Sequence, residues 1–325
     1  MRIAVVGATG RICAKLTENL LAKGHSVKAL SRGGPALDAL VAKGAEPFLG
    51  SFDTGDGELS AFFEDADAAF LMVKTIWEAE DLHGHYPTVA LRLFDALRDS
   101  PVKFAVSLTG MGSEVSGNTG HFQGFHILDQ ILNRLHDINL VHLQGGWFME
   151  DLSRWVDPIA QYDRIGWSLD PNVKAPWVAI QDIADFAAKE FDTPTDRHRS
   201  VKQLGIDYTM TEIAAMISRA LGRVVGYRFV DPSDREVETV FRERFGTLER
   251  WVYDKDTLAA LNDGRVKFRD DRPALRTTME EFVNDTLRPL IEKARTDGVK
   301  KETFLTWSSQ TSSRPIATKA LRIDG

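Results

Sequence analysis

The sequence predicts an α/β fold: a doubly wound parallel sheet with a smaller, mainly helical region toward the C-terminus. Two observations lead to this prediction. Short apolar runs alternate with segments of helix length, a pattern that implies parallel βαβ units with right-handed crossovers. The first apolar run also enters a glycine turn that is followed directly by a helical pattern, which indicates a sheet of the Rossmann type.

The individual elements follow in order along the chain. Apolar runs predict strands that read RIAVV, HSVKAL, AEPFLG, DAAFLMV, KFAVSL and INLVHL. Helical periodicity between them predicts helices over residues 12–23, 36–43, 89–98 and 122–135. Farther on, PWVAIQDIADFAAKEF predicts a seventh strand and a helix with Asp182 near its start. MTEIAAMISRALGR predicts a helix that is capped by Thr211 and closed by Gly222.

This order of elements suggests how the chain is divided. We expect residues 1–155 to form the sheet domain, to which the strand and helix at 176–191 return. Residues 156–175 and 192–325 contain Trp-rich and charge-rich segments without strand periodicity, so we expect them to form the smaller region. The polar tail from about Ser308 is expected to be loose.

Composition and charge exclude several classes of protein. The 325 residues carry a net charge of -7 and no Lys/Arg-rich run, which argues against direct binding of nucleic acid. No apolar run is long enough to span a bilayer or to serve as a signal peptide, so we expect a cytoplasmic protein without membrane contact. The sequence leaves the oligomeric state open.

The cysteine and histidine content gives no metal or disulfide signal. A single cysteine, Cys13, excludes an internal disulfide and a cysteine-clustered zinc site. His83 and His85 lack a third ligand at a helpful spacing, so we interpret their segment as a loop and expect no metal.

The turn GATGRI has the features of a phosphate cradle. Gly7 permits a tight turn out of the strand, and Gly10 lets the backbone approach a pyrophosphate. The amides that open the helix at Arg11 and Ile12 face the negative charge, and Thr9 offers a hydroxyl donor. The turn therefore predicts a bound dinucleotide.

Cys13 stands where the third glycine of such a turn is expected. That glycine lets the helix pack close to the strand, and cysteine is a small side chain that behaves as a buried hydrophobe. We therefore predict that Cys13 packs the helix against the sheet; the alternative is a redox or nucleophilic role.

The end of the second strand predicts which dinucleotide is bound. Rossmann domains that bind NAD commonly place an acid there, whereas an arginine receives the 2′-phosphate of NADP. This strand ends in Ser31 and Arg32, so we predict NADP(H), with Ser31 adding a hydroxyl contact. The alternative is that Arg32 is a solvated surface residue.

Six segments together resemble the NmrA-like branch of the atypical short-chain dehydrogenase/reductases: GATGRI, ADAAFLM, VSLTGMG, LVHLQGGWFMED, WVAIQDIADFAA and MTEIAAMISRALGR. The resemblance runs from Met1 to about Val230 and implies an NADP-binding Rossmann domain with a small substrate or partner region. The family includes NAD(P)H-dependent reductases of quinones, dyes and plant phenolics, and proteins that bind the dinucleotide without turning it over. In LGSFD, Ser51 replaces the acid that relatives usually carry near the adenine.

The expected site is completed at the ends of later strands. Cofactor contacts are expected from Met72, Val73, Ser107, Gly145 and Gly146. Thr109, Trp147 and Phe148, followed by Met149, are expected to wall an apolar substrate pocket, although aromatic residues at such a junction also serve as core.

The sequence departs from the standard short-chain dehydrogenases at the catalytic residues. Those enzymes pair a Tyr with a Lys four residues later; none of the five tyrosines has this partner. Many NmrA-like reductases instead carry a Lys on the helix before the sixth strand, and His126 stands at that position. An imidazole there donates a proton or hydrogen-bonds the nicotinamide ribose; the alternative is an exposed helical histidine without a task.

Two functions follow from these features. One is an NADPH-dependent reductase of a flat, apolar, electron-poor small molecule, such as a quinone, an enone or a related phenolic. The other is an NADP(H)-sensing regulator that binds a protein partner without catalysis. The apolar residues beyond the sixth strand favour the reductase and the missing Tyr–Lys pair favours the sensor; the reductase is our working hypothesis.

Overall fold

The structure is a computed structural model that describes residues 1–52, 58–74, 81–235, 238–239 and 248–298. The described strands are β1 (Arg2–Val5), β2 (Ser26–Ser31), β3 (Glu46–Leu49), β4 (Ala68–Met72), β5 (Phe104–Gly110), β6 (Asn139–Gly145), β7 (Trp147–Phe148), β8 (Arg164–Trp167), β9 (Ala175–Val178), β10 (Arg199–Leu204), β11 (Ile206–Tyr208) and β12 (Gly226–Phe229).

Helices connect these strands. They are α1 (Arg11–Ala22), α2 (Pro35–Val41), α3 (Glu58–Phe63), α4 (Leu82–Arg98), α5 (His121–Leu132), α6 (Val156–Tyr162), α7 (Ile180–Asp192), α8 (Met210–Leu221), α9 (Leu248–Asn262), α10 (Met279–Phe282) and α11 (Arg288–Asp297). A 3₁₀ segment, Met149–Trp155, precedes α6, and a π-helical segment, Val283–Leu287, joins α10 to α11.

The main sheet has seven parallel strands in the order β10-β6-β5-β4-β1-β2-β3. Its central strands are apolar because both faces are covered: every residue of β5 is buried. Helices α1 and α7 pack on one face, and α3, α4 and α5 pack on the other. The predicted doubly wound sheet and its first six strands are confirmed.

The seventh strand differs from the prediction. The apolar segment at 175–178 forms β9 of a separate three-stranded sheet, in the order β11-β9-β7. The seventh strand of the main sheet is β10, Arg199–Leu204, which pairs with β6 at the sheet edge. Its sequence RSVKQL is mostly polar because one edge of this strand is not covered by another strand, so a search for apolar runs misses it. The segment at 175–178 is apolar because all four of its residues are buried, Ala175 and Trp177 in the C-terminal core and Val178 in the core of the main sheet.

A second apolar core lies in the C-terminal part of the described chain. It joins the 3₁₀ segment, α6, α8 and the α10–α11 stretch, and it includes Trp155, Trp167 and Trp177. The predicted C-terminal helical region is therefore present, but it also contains the short strands β8, β11 and β12. Strands of three or four residues are too short to give a clear alternating pattern in the sequence.

Two helix starts also differ from the prediction. Helix α8 is capped by Thr209 and not by Thr211: the Thr209 hydroxyl accepts from the Glu212 amide, and the Glu212 carboxylate accepts from the Thr209 amide. Helix α4 begins at Leu82, with the Asp81 carboxylate accepting from the Gly84 amide, so the segment interpreted as a loop is its first turn.

Further predictions concern the C-terminal tail, the domain boundaries and membrane-spanning helices. The tail beyond about Ser308 lies outside the described part of the chain. The domain boundaries remain a prediction. Within the described ranges, no helix combines the length and the apolar composition that crossing a bilayer would require.

Candidate functional site

The expected site residues meet at one edge of the main sheet. The strand order reverses between β1 and β4, and ligands of open α/β sheets bind in the crevice beyond the carboxyl ends of the strands at such a point. Gly7 follows β1, Met72 ends β4 and Gly145 ends β6, so the structure brings these residues to the same edge.

The glycine turn after β1 has little space for side chains. Its glycines therefore let the protein backbone approach a ligand closely. Gly7 has a φ of +65°, and a Cβ there would lie 3.3 Å from Met72 Sδ and 3.4 Å from the Phe52 ring. A Cβ on Gly10 would lie 3.2 Å from the Gly7 carbonyl oxygen. Both positions therefore favour glycine for a physical reason.

The N-terminus of α1 fits a pyrophosphate. The first intrahelical bond runs from the Ala14 amide to the Gly10 carbonyl, so the amides of Arg11, Ile12 and Cys13 precede the helical ladder. No side chain caps this end, and its first turn contains no acidic residue. These amides can donate hydrogen bonds to an anionic group, and the partial positive charge of the helix end attracts it.

The end of β2 offers a hydroxyl pair and a guanidinium. The Thr9 and Ser31 hydroxyl oxygens lie 3.2 Å apart, and Ser31 Oγ also accepts from the Gly33 amide at 3.3 Å. Arg32 is exposed and makes no hydrogen bond or ion pair with any other residue that the structure describes. Its charge is therefore available to a ligand.

The Arg11 side chain turns away from the glycine turn. Its guanidinium lies 3.2 Å from Asp151 Oδ1 and 6.0 Å from the centre of the Phe148 ring. Arg11 thus offers the turn its amide, while its side chain ties α1 to the segment after β7.

Cys13 lies in the apolar core between α1 and the sheet. It is 1% exposed, and its sulfur lies 3.9 Å from where a Cβ on Gly10 would be. Burial raises the pKa of the Cys13 thiol to about 12, which keeps it in the unreactive protonated form. The interpretation of Cys13 as a packing residue is confirmed.

We expect Cys13→Ala to leave the affinity for NADPH within about threefold of the wild type, because the change removes one buried sulfur and adds no charge. In the native protein, a thiol reagent should label Cys13 slowly, and in urea quickly. Titration of NADPH against both proteins and a labelling time course check these expectations. Fast labelling of the native protein that also blocks NADPH binding would contradict them.

The predicted residues on β5 and β6 lie deeper than the edge. Ser107 is fully buried three residues before β5 ends, and its hydroxyl has no hydrogen-bond partner among the described residues. The Thr109 hydroxyl is 3.5 Å from the Leu143 carbonyl. At Gly146 a Cβ would lie 2.3 Å from the Pro176 carbonyl oxygen, so this glycine admits the backbone of β9.

Two aromatic residues, Trp147 and Phe148, form β7 beyond β6, and they pack against different apolar cores. Trp147 and Phe148 are half-buried, and the Trp147 ring lies 5.2 Å from Trp167 and 6.3 Å from Phe122. The indole nitrogen of Trp147 has no hydrogen-bond partner within the described ranges. Met149 is fully buried in the C-terminal core, so it is not available to a substrate.

His126 lies on α5 at the start of a buried polar chain. Its Nδ1 is 2.7 Å from the Ser113 carbonyl, and because a carbonyl only accepts, Nδ1 carries a proton. Ser113 Oγ accepts from Gln144 at 2.5 Å, and Gln144 Oε1 accepts from Gln203 at 2.8 Å. Gln203 Oε1 accepts from the Arg269 amide at 2.8 Å. The chain thus fixes the His126 ring, and Nε2 has no hydrogen bond to another described residue.

Glu114 lies in the same polar surroundings. Burial raises the pKa of Glu114, its own backbone amide opposes that shift, and the nearby Asp129 charge adds to it. The charges of Arg269 and His126 oppose this rise in the pKa of Glu114.

The sequence analysis did not single out several residues at this edge. Phe52 lies against Gly7, and Tyr86 and His121 lie at the starts of α4 and α5. Phe52 directly follows Ser51 in LGSFD, a segment that the sequence already placed near the adenine. For Tyr86 and His121 the sequence holds no signal, because they are 35 positions apart and only helix packing joins them.

Comparison with known proteins supports the resemblance to the NmrA-like family. Residues 1–96 match the model of the NmrA-like family. The resemblance to the NmrA-like family is confirmed. Pinoresinol reductase 1 of Arabidopsis thaliana is 23% identical to this chain over 229 residues, which cover 65% of the chain and 71% of that protein.

Solved structures share the fold of the chain. The NADPH-dependent quinone oxidoreductase QOR2 of Escherichia coli, complexed with NADPH, superposes with a TM-score of 0.71 at 18% identity, covering 87% of this chain and 99% of that one. NmrA, a negative transcriptional regulator in complex with NAD, superposes with a TM-score of 0.70 at 18% identity, covering 94% and 98%. These likenesses show the fold.

Proposed function

We propose that the chain is an NADPH-dependent reductase of a flat, apolar, electron-poor small molecule such as a quinone, an enone or a related phenolic. This proposal rests on three features that lie together at one edge of the sheet. They are the glycine turn, which has no side chains at Gly7 and Gly10, the exposed Arg32, and the aromatic residues Trp147 and Phe148. The two reductases among the similar proteins support the reaction class.

The chain's residues would divide the work as follows. Gly7, Gly10 and the first amides of α1 would hold the pyrophosphate, and Thr9 with Ser31 and Arg32 would hold the phosphorylated ribose. NADPH supplies a hydride when bound. The rings of Trp147 and Phe148 would orient a flat substrate and exclude water from it. His126, doubly protonated and with Nδ1 bonded to the Ser113 carbonyl, would deliver the proton from Nε2.

Arg32→Ala is expected to reduce the preference for NADPH over NADH by about 10- to 150-fold, because a charge-assisted bond contributes on the order of 1.5–3 kcal/mol. Fluorescence titration of both cofactors against both proteins measures this preference. Arg134→Ala, which removes an exposed arginine at the opposite edge of the sheet, is the matched control. An unchanged preference in Arg32→Ala would remove this residue from the cofactor site.

Turnover tests the function itself. Purified protein with NADPH is incubated with a panel of quinones, enones and imines, and oxidation of NADPH is followed by its absorbance. Substrate-dependent oxidation supports the reductase. Tight NADPH binding without oxidation by any substrate would favour the sensing regulator, and a pull-down of protein partners with and without NADP would then test that function.

A further inference from the structure

A cavity of about 340 Å³ opens at the amino ends of the strands, away from the proposed cofactor site. It is lined by the last turns of α4 and by residues 134–138, which join α5 to the first residue of β6. The glycine turn lies beyond the carboxyl ends of the strands. Because β6 has seven residues, the two ends of this strand are about 20 Å apart. The cavity is therefore separate from the site described above.

The floor of the cavity is apolar. Leu135 and Ile138 line it and are each 3% exposed, so they lie at its bottom. The Phe94 ring is half-buried and packs against the apolar core between the sheet and α4. A cavity of this volume is at the lower end of the range for small-molecule sites, so it suits a compact organic molecule.

The rim of the cavity carries a guanidinium that is available to a ligand. Arg134 is exposed, and its Cζ atom lies 5.2 Å from the centre of the Phe94 ring. Its side chain has no hydrogen bond or ion pair with any residue in the described part of the chain. A guanidinium in this state offers all of its N–H groups, in a planar fork that matches the two oxygens of a carboxylate.

The other charges of the rim contribute less to binding an anion. Arg98 also lies over the Phe94 ring, at 6.0 Å, but Asp95 at 3.5 Å and Asp99 at 3.2 Å share its charge. Asp137 lines the cavity and is exposed, and its carboxylate repels an anion. The rim therefore has one guanidinium, that of Arg134, without an acidic partner among the described residues.

The wall between α5 and β6 is held in place without a ligand. The Arg199 guanidinium donates to the Leu135 carbonyl at 2.7 Å and to the Ile138 carbonyl at 2.8 Å. These bonds fix the backbone of the wall and place a half-buried positive charge behind it. The ring of His136, which also lines the cavity, stacks with that of His198, with centroids 6.0 Å apart. The cavity is therefore preformed, as small-molecule sites usually are.

We propose that this cavity binds a small organic carboxylate with a compact apolar body, and that Arg134 holds the carboxylate. The apolar body lies on Leu135, Ile138 and the Phe94 ring, where it displaces water from apolar surface. The carboxylate pairs with the Arg134 fork at the rim. A dianion such as a phosphate monoester fits less well, because Arg98 is already paired and Asp137 repels the additional charge. The proposal does not depend on the reductase function.

Titration with p-trifluoromethylbenzoate, followed by fluorine NMR, tests the proposal. We expect saturable binding to the wild-type protein. The neutral p-trifluoromethylbenzamide has the same apolar body and is expected to bind at least about tenfold more weakly, because it cannot form a charge-assisted pair with a guanidinium. Absence of saturable binding of the benzoate, or equal binding of the benzamide, overturns the proposal.

Substitutions on the rim test which residue holds the carboxylate. Arg134→Ala is expected to raise the Kd of the benzoate by about tenfold. Arg98→Ala should raise it by no more than about threefold, and Asp137→Asn should lower it by about twofold, as for exposed charges. A folded Arg134→Ala that binds the benzoate as tightly as the wild type overturns the proposal.

Arg295→Ala is the matched control, since it removes an exposed arginine from α11 and should keep the wild-type Kd. Circular dichroism establishes that all of the variants are folded.

Competition with NADP separates this cavity from the cofactor site. Saturating NADP is expected to leave the Kd of the benzoate within about twofold, because the two sites lie at opposite ends of strands that are about 20 Å long. Displacement of the benzoate by NADP would place the probe in the cofactor site and overturn the proposal. A protein that binds the benzoate through Arg134 but oxidises NADPH with no substrate would contradict the reductase function and leave this cavity as a binding site.

Discussion

Replacement of His126 by alanine is expected to lower kcat for quinone or enone reduction by about 10²–10⁴-fold, the range for removal of a general acid. The physical reason is the arrangement of the ring. Nδ1 donates to the Ser113 carbonyl at 2.7 Å, so only the doubly protonated, cationic ring holds a second proton, on Nε2, that it can give to a substrate. Steady-state kinetics with NADPH and a turned-over substrate measure kcat, and NADPH titration is performed on the same variant.

The NADPH titration separates a chemical role of His126 from a positional one. A general acid should affect kcat and leave NADPH affinity near the wild-type value. A decrease of less than about tenfold in kcat with weaker NADPH binding would instead indicate contact with the ribose. Gln130→Ala, an exposed position on the same helix, is the matched control and should behave as the wild type. Wild-type kinetics in His126→Ala would remove this histidine from the proposed reaction.

The second large effect is expected on stability. Arg199→Ala should lower the free energy of unfolding by about 3 kcal/mol, since hydrogen bonds from a charged donor contribute about 1.5–3 kcal/mol each and adjacent bonds are not additive. The Arg199 guanidinium donates to five backbone carbonyls: those of Leu132, Asn133, Leu135, Ile138 and His198. Leu132 is the last residue of α5 and Asn133 its C-cap, so a positive charge there also favours the helix dipole.

Urea unfolding followed by circular dichroism measures this loss. Arg197→Ala removes an exposed arginine two residues earlier and should change the unfolding free energy by less than about 0.5 kcal/mol. Equal unfolding midpoints for Arg199→Ala and Arg197→Ala would show that water replaces the guanidinium at the end of α5 without loss. The expected difference instead identifies Arg199 as the residue that joins β10 to α5.

Local features determined much of the fold. The six apolar runs became the first six strands of the sheet. The central strands β1, β4 and β5 are apolar because both of their faces are covered. The turn at Gly7 and Gly10 is equally local: a positive φ and a close carbonyl leave no space for a side chain, so glycine marks the turn in any sequence. Cys13 was assigned to packing on its size and position alone, and it is buried.

The sequence did not predict the features that depend on residues far away in the chain. The polar strand Arg199–Leu204 joins the sheet through its pairing with β6, whereas the apolar segment at 175–178 serves a different core. Thr209 and Thr211 are equally good caps by residue type, and only the backbone geometry selects Thr209. Local composition does not predict these features, because each depends on packing against residues from elsewhere in the chain.

The candidate site shows the same division. The sequence by itself determined the cradle, the Ser31 and Arg32 end of β2 and the position of His126, since each lies within a few residues of a strand or helix end. Only the tertiary structure decided that Arg11 turns to Asp151, that His126 is fixed by Ser113, and that Tyr86 meets His121. The physical reason is that hydrogen bonds and ring contacts require short distances, and helix packing creates those distances between segments that the sequence keeps far apart.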